Sequence, residues 1–220
     1  MQIRPEQLEQ HLKQGVAPCY LVTGAEPLII QECTDAIRAA ARAAGCVERE
    51  RINAADKDGW QSLIHSASSM SLFADRKLIE IQVDSGKPGA EGSKVLQEYL
   101  ALGSDNVLLV VAGKIDKQSQ RAKWYTALDK NGSVVTVWPI SAREMPSWIE
   151  QRIKRLGLTC DREAVSLLTE RVEGNALAAA QEVEKLALLA TDKHVTAEQV
   201  AQSVGDSARY NAFVMVDAAL

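Results

Sequence analysis

Four short apolar runs, separated by stretches of helical periodicity, constrain the fold of this chain more than any other feature. Cys19 to Thr23 (CYLVT) ends at Gly24, and Lys77 to Val83 reads KLIEIQV. Val107 to Ala112 (VLLVVA) closes at Gly113, and Val134 to Ile140 reads VVTVWPI. Glu48 to Ile52 is a weaker fifth run. Near-continuous Val/Leu/Ile content, rather than strict alternation, suits strands covered on both faces. Between the runs, Leu28, Ile29, Cys33, Ile37, Ala40, Ala41 and Ala44 follow a 3.6-residue period, as do Trp60, Leu63, Ile64 and Ala67. Strands alternating with helices predict an α/β domain with a doubly wound, mainly parallel sheet.

The pattern changes after Ile140. Ser141-Ala142-Arg143-Glu144 has the spacing of a capping box, and Trp148, Ile149, Ile153 and Leu156 continue as a helix to Gly157. Ala164 to Val172, Leu177 to Leu189 and Thr196 to Val204 read as three more helices, with no convincing strand among them. The expected organisation is a sheet domain over 1–140, a small all-helical domain over 141–210, and the first turns of a further element over 211–220, with Phe213, Val216 and Leu220 on its apolar face. Glycine and proline make Asp84 to Ser93 (DSGKPGAEGS) the expected flexible loop.

Charge and composition narrow the function. Lys plus Arg is 25 and Asp plus Glu is 29, a net −4, and neither half has the basic excess of an autonomous nucleic-acid binder. No stretch of about 18 apolar residues could span a membrane, and the N-terminus lacks a signal-peptide core, so the cytoplasm is the expected compartment. Cys19, Cys33, Cys46 and Cys160 are scattered, with no CxxC pair. They read as small buried hydrophobes rather than zinc ligands or disulfides. His11, His65 and His194 are equally isolated, so neither a metal nor a histidine-based catalytic centre is expected.

Strand, Gly24, then helix is the place for a phosphate-binding loop, which needs GxxxxGK[ST]. From Gly24, the second glycine falls on Ile29, the lysine on Ile30 and the hydroxyl residue on Gln31, while Glu26 adds a negative charge. The turn keeps the shape without the ligand, and no cofactor is expected. Asp84 could imitate a magnesium-binding acid but reads as a turn residue. Glu182 and Glu184, beside Lys185, read as a solvated helix face. GxSxG, HExxH and GxGxxG patterns are missing, and no catalytic residue is expected. One segment stands apart. Ser68 to Arg76 (SSMSLFADR) joins a helix to a strand, is polar-flanked, and holds Met70, Leu72 and Phe73. These either plug the base of the sheet or form an apolar tip that enters a partner's pocket.

The order of several segments resembles one family. Arg4 to Leu8 (RPEQL), Tyr20 to Glu32 (YLVTGAEPLIIQE), Met70-Ser71-Leu72-Phe73, Trp148-Ile149, Gly157-Leu158, Glu173 to Leu177 (EGNAL), Glu182 to Leu186 (EVEKL) and Asn211 to Leu220 (NAFVMVDAAL) are similar to the delta subunit of the bacterial DNA polymerase III clamp loader. The resemblance implies an AAA+-like domain without ATP binding over 1–140, a lid domain over 141–210 and the start of a collar domain over 211–220. It implies that Met70, Leu72 and Phe73 bind the sliding clamp (beta subunit), and that the chain opens this ring for loading onto or unloading from DNA. The implied partners are the ATPase and delta-prime subunits, with DNA only within the assembled loader. No catalysis is implied for the chain itself, a subunit of a DNA-directed DNA polymerase holoenzyme. Two rivals remain: another nucleotide-free AAA+ scaffold of the delta-prime type, whose four-cysteine zinc module these cysteines do not match, or an unrecognised enzyme on a doubly wound sheet.

Overall fold

The computed structural model describes residues 1–69, 76–190 and 192–203. The chain divides into two compact units, Met1–Pro139 and Ile140–Leu220.

The first unit is a three-layer α/β sandwich. Its elements are β1 (Gln2–Ile3), α1 (Pro5–Gln14), β2 (Cys19–Gly24), α2 (Pro27–Ala43), β3 (Cys46–Asn53), α3 (Gly59–Ser68), β4 (Arg76–Val83), α4 (Gly89–Leu102), β5 (Val107–Ala112), α5 (Lys123–Asn131) and β6 (Ser133–Val137). The six strands form one sheet in the order β1-β6-β2-β5-β4-β3, parallel throughout. The four strong apolar runs are thus β2, β4, β5 and β6, which lie side by side as the four interior strands of the sheet.

Side chains alternate across the pleat, so each central strand feeds two cores. Cys19, Leu21, Ile79, Ile81, Leu108 and Val110 face Leu63 of α3, Leu96 and Tyr99 of α4, and Trp124 and Leu128 of α5. Tyr20, Val22, Leu78, Leu109 and Val135 face Leu8 of α1 and Cys33, Ile37 and Ala41 of α2. Burying each large apolar side chain contributes about 1.5–3 kcal/mol. Strand β3 is weaker in sequence because it is an edge strand, half-exposed along CVERERIN.

Two features depart from the sequence expectation here. The two-residue strand β1 is too short to carry a pattern, yet it extends the sheet by pairing Gln2 with Val134. The expected flexible stretch at 84–93 is a turn only as far as Pro88, and α4 begins at Gly89. Gly92 is buried there, and a Cβ at this position would overlap the Trp60 indole. This glycine serves close packing rather than flexibility.

The second unit has α6 (Met145–Arg155), α7 (Arg162–Val172), α8 (Ala176–Leu189) and a helix over 197–203, around Met145, Ile149, Ile153, Leu168, Val183 and Val200. Asn175 caps α8, its side-chain oxygen accepting from the Ala178 amide at 3.0 Å. This unit also holds a two-residue parallel ladder, β7 (Thr159–Cys160) with β8 (His194–Val195), too short for a periodicity signal. The Ser141 box is half-formed. The Glu144 carboxylate accepts from the Ser141 amide at 3.1 Å and from its hydroxyl at 2.6 Å, and helix α6 proper starts at Met145. The hydroxyl is turned to the carboxylate rather than to a helix amide.

Candidate functional site

The turn where a phosphate loop would sit joins β2 to α2. A Cβ on Gly24 would overlap the Val137 carbonyl on β6, so the close approach of two strands requires this glycine. Beyond the turn, the carboxyl ends of the central strands border a cleft of about 580 Å³ that includes Gly24, Ile30, Gln31 and Gly113. The phosphate-loop lysine and hydroxyl positions hold Ile30 and Gln31, and the cleft also contains an internal ion cluster. Glu80, 4% exposed, accepts from Arg38 of α2 at 2.7 and 3.0 Å and from Arg49 of β3 at 2.9 and 3.1 Å. Burial alone would raise the Glu80 carboxyl, but the hydrogen bonds and charge of Arg38, and then Arg49, outweigh it and hold the pKa below the usual value. Asp84 lies in the turn after β4 and accepts from Gln82 at 3.0 Å, as expected of a turn residue.

The other site expected from sequence is the junction between α3 and β4. Met70, Leu72 and Phe73 lie outside the described residues. Ser69 and Arg76, which border the stretch 70–75 on either side, are described. Lys77 is the second residue of β4, and its side chain is 3% exposed. Its ammonium donates to Glu50 of β3 at 3.0 Å and to the Ser69 hydroxyl at 2.8 Å. Ser69 donates onward to the Ser66 carbonyl at 3.2 Å, and the Ser66 hydroxyl donates to the second Glu50 oxygen. Burial raises the Glu50 carboxyl, but the bonds from Ser66 and Lys77 outweigh that and hold its pKa low. On the backbone, the Lys77 amide donates to the Asn106 side chain at 2.9 Å and the Ser69 amide to the His65 carbonyl at 3.0 Å.

Neither ionic cluster was anticipated from sequence. The available signal was the charge inside strand runs: Lys77 and Glu80 interrupt KLIEIQV, and any strand interior to this sheet must bury and pair them. Cysteine behaves as the sequence suggests. Cys19, Cys33 and Cys46 are buried free thiols, Cys160 is half-buried, and burial pushes Cys19 and Cys33 up to about 12. His11 touches Tyr20 and Ser133, and His194 touches Thr159 and Asp161. Among the described residues, no group of His, Cys, Asp or Glu could hold a metal ion. Glu182 pairs with Lys185 and Glu184 with Arg152. Among the described residues, no helix is long and apolar enough to cross a membrane.

A family model described as DNA polymerase III, delta subunit, matches residues 20–137, and one described as a middle domain matches 141–202. The DNA polymerase III subunit delta of Escherichia coli (strain K12) is 35% identical over 221 residues, which span 100% of this chain and 64% of that protein. The Haemophilus influenzae subunit delta is 31% identical over 222 residues, 99% of this chain and 64% of that protein. The chain therefore spans 64% of the length of these two curated relatives. Among solved structures, the Bacillus subtilis DNA clamp loader delta protein superposes with a TM-score of 0.71 at 20% identity, over 90% of this chain and 61% of that one. A Thermotoga maritima RuvB variant superposes at 0.52 with 12% identity, over 91% of this chain and 65% of its own. At such identities these two likenesses concern the fold, which is AAA+-like.

Proposed function

Because this chain belongs to the DNA polymerase III delta subunit family, we propose that it is a clamp-loader subunit that binds the ring-shaped sliding clamp and opens it. The observation that carries the reading is the match of the family model across the sheet domain, 20–137, joined to a phosphate turn whose ligand positions hold Ile29, Ile30 and Gln31. A chain built this way keeps the shape of a nucleotide-dependent machine while leaving ATP hydrolysis to partner subunits. Residues 1–140 are then the clamp-binding domain, 141–210 the lid, and 211–220 the start of a collar. The partners are the clamp, the ATPase and delta-prime subunits, and DNA only within the assembled loader, in the cytoplasm.

Met70, Leu72 and Phe73 supply the clamp contact. Leucine and phenylalanine fill a preformed apolar pocket, and methionine tolerates imperfect shape. Ring opening follows if this contact fits an altered clamp interface better than the closed one, since a ligand shifts an equilibrium only by its differential affinity. Losing both Leu72 and Phe73 removes roughly 3–6 kcal/mol, or about 10² to 10⁴ in affinity. The test is Leu72→Ala with Phe73→Ala, measured for binding to immobilised sliding clamp and for release of clamps from circular DNA. The double variant should remain folded and lose both. Parent-like binding, or global unfolding, would instead mean that these side chains plug the sheet.

A further inference from the structure

We infer that Lys77, Glu50 and Ser69 form a positioning device for the clamp contact, one that fixes where the chain leaves α3 and where it re-enters β4. The inference rests on the proposed role of Met70, Leu72 and Phe73. Ser69 immediately precedes the segment 70–75, and Lys77 follows it by two residues. One side chain therefore ties the two ends of the segment together directly, by the 2.8 Å bond from the Lys77 ammonium to the Ser69 hydroxyl. The tie is anchored laterally, because the same ammonium holds Glu50 on the neighbouring strand and Glu50 in turn accepts from Ser66 in the last turns of α3.

Packing does not require a charge here. Ile79, Ile81 and Val83, the following residues on the same face of β4, are all apolar and buried against the helices. An apolar residue at position 77 would fill that space without the desolvation cost of a buried ammonium. A lysine adds direction: it specifies oxygen partners on Ser69, just past the end of α3, and on Glu50 of β3 at hydrogen-bond distance. The backbone is held from the other side as well, through the Lys77 amide to Asn106 and the Arg76 side chain to the Asp105 carbonyl at 2.8 Å. Fixing both ends of a short recognition segment lowers the ordering cost on binding, which is the usual source of preorganised affinity.

The test uses the full chain and a purified bacterial sliding clamp. Ser69→Ala cuts the tie to the segment but leaves the Lys77–Glu50 pair intact. Its melting temperature should stay near the parent's while its clamp affinity falls about tenfold. Ser69→Thr keeps the hydroxyl and should restore binding. Lys77→Met should weaken binding at least as much as Ser69→Ala. The Leu72→Ala/Phe73→Ala variant serves as the reference arm. If that variant binds like the parent, the reading beneath the inference fails. If it loses binding while Ser69→Ala and Lys77→Met bind normally, or if the threonine gives no rescue, the positioning role is overturned.

Discussion

Gly92 shows how one hydrogen in place of a side chain can set a helix in position. It lies in the first turn of α4 against the Trp60 indole, where a methyl group has no room. Gly92→Ala should therefore displace Trp60 and cost about 1–3 kcal/mol, read from urea unfolding followed by tryptophan fluorescence. In sequence, this glycine is indistinguishable from a loop residue, because its reason is a contact with a side chain more than thirty positions away. Glu80 poses the same difficulty. Its placement in an apolar strand signals burial, but the two arginines that receive it come from other elements. Its carboxyl titrates below the ordinary 4.5, so its contribution to stability is fully present above that value and is lost as pH falls through the lower folded value. Glu80→Gln should flatten that acid limb of the stability curve and destabilise the neutral protein by about 2–4 kcal/mol, measured by denaturant titration from pH 3 to pH 7.

Strands buried on two faces announce themselves by composition, which is why β2, β4, β5 and β6 are legible from residues alone. The edge strand β3 needs burial on one face only, and its charged residues dilute the signal. Strands of two residues, β1, β7 and β8, carry none, since pairing rather than pattern creates them. The β2–α2 turn was legible in its form, a strand passing through Gly24 into a helix. Ile30 and Gln31 border the cleft where phosphates would lie, and of the three arginines that line it Arg38 and Arg49 are engaged with Glu80 while Arg51 is exposed. Adding Mg-ATP should leave the melting temperature unchanged. A saturable, ATP-specific rise would contradict this reading of the turn. The proposed clamp contact rests on an apolar cluster at a polar junction of the sequence and lies outside the described residues, whereas the ion cluster flanking it depends on a fold that brings β3, α3 and β4 together.

Each unit carries its own core: two apolar layers cover the sheet of the first, and one cluster fills the second. Residues 1–139 expressed alone should accordingly unfold in one cooperative transition, with circular dichroism showing helix and sheet together. A molten, non-cooperative product would mean that the sheet domain depends on the rest of the chain. In the sequence, strand runs stop near 140 and helical periodicity takes over, and the chain divides into its two compact units between Pro139 and Ile140. The order of strands also governs biosynthesis. Tyr20 of β2 sits between Leu109 and Ser133, so both neighbours of this central strand are encoded far downstream. At about 5–20 residues per second, a ribosome needs several seconds to deliver β5 and β6 after β2 has emerged. Throughout that interval the nascent chain carries an unpaired CYLVT segment, one a chaperone must shield or a neighbouring polysome can capture.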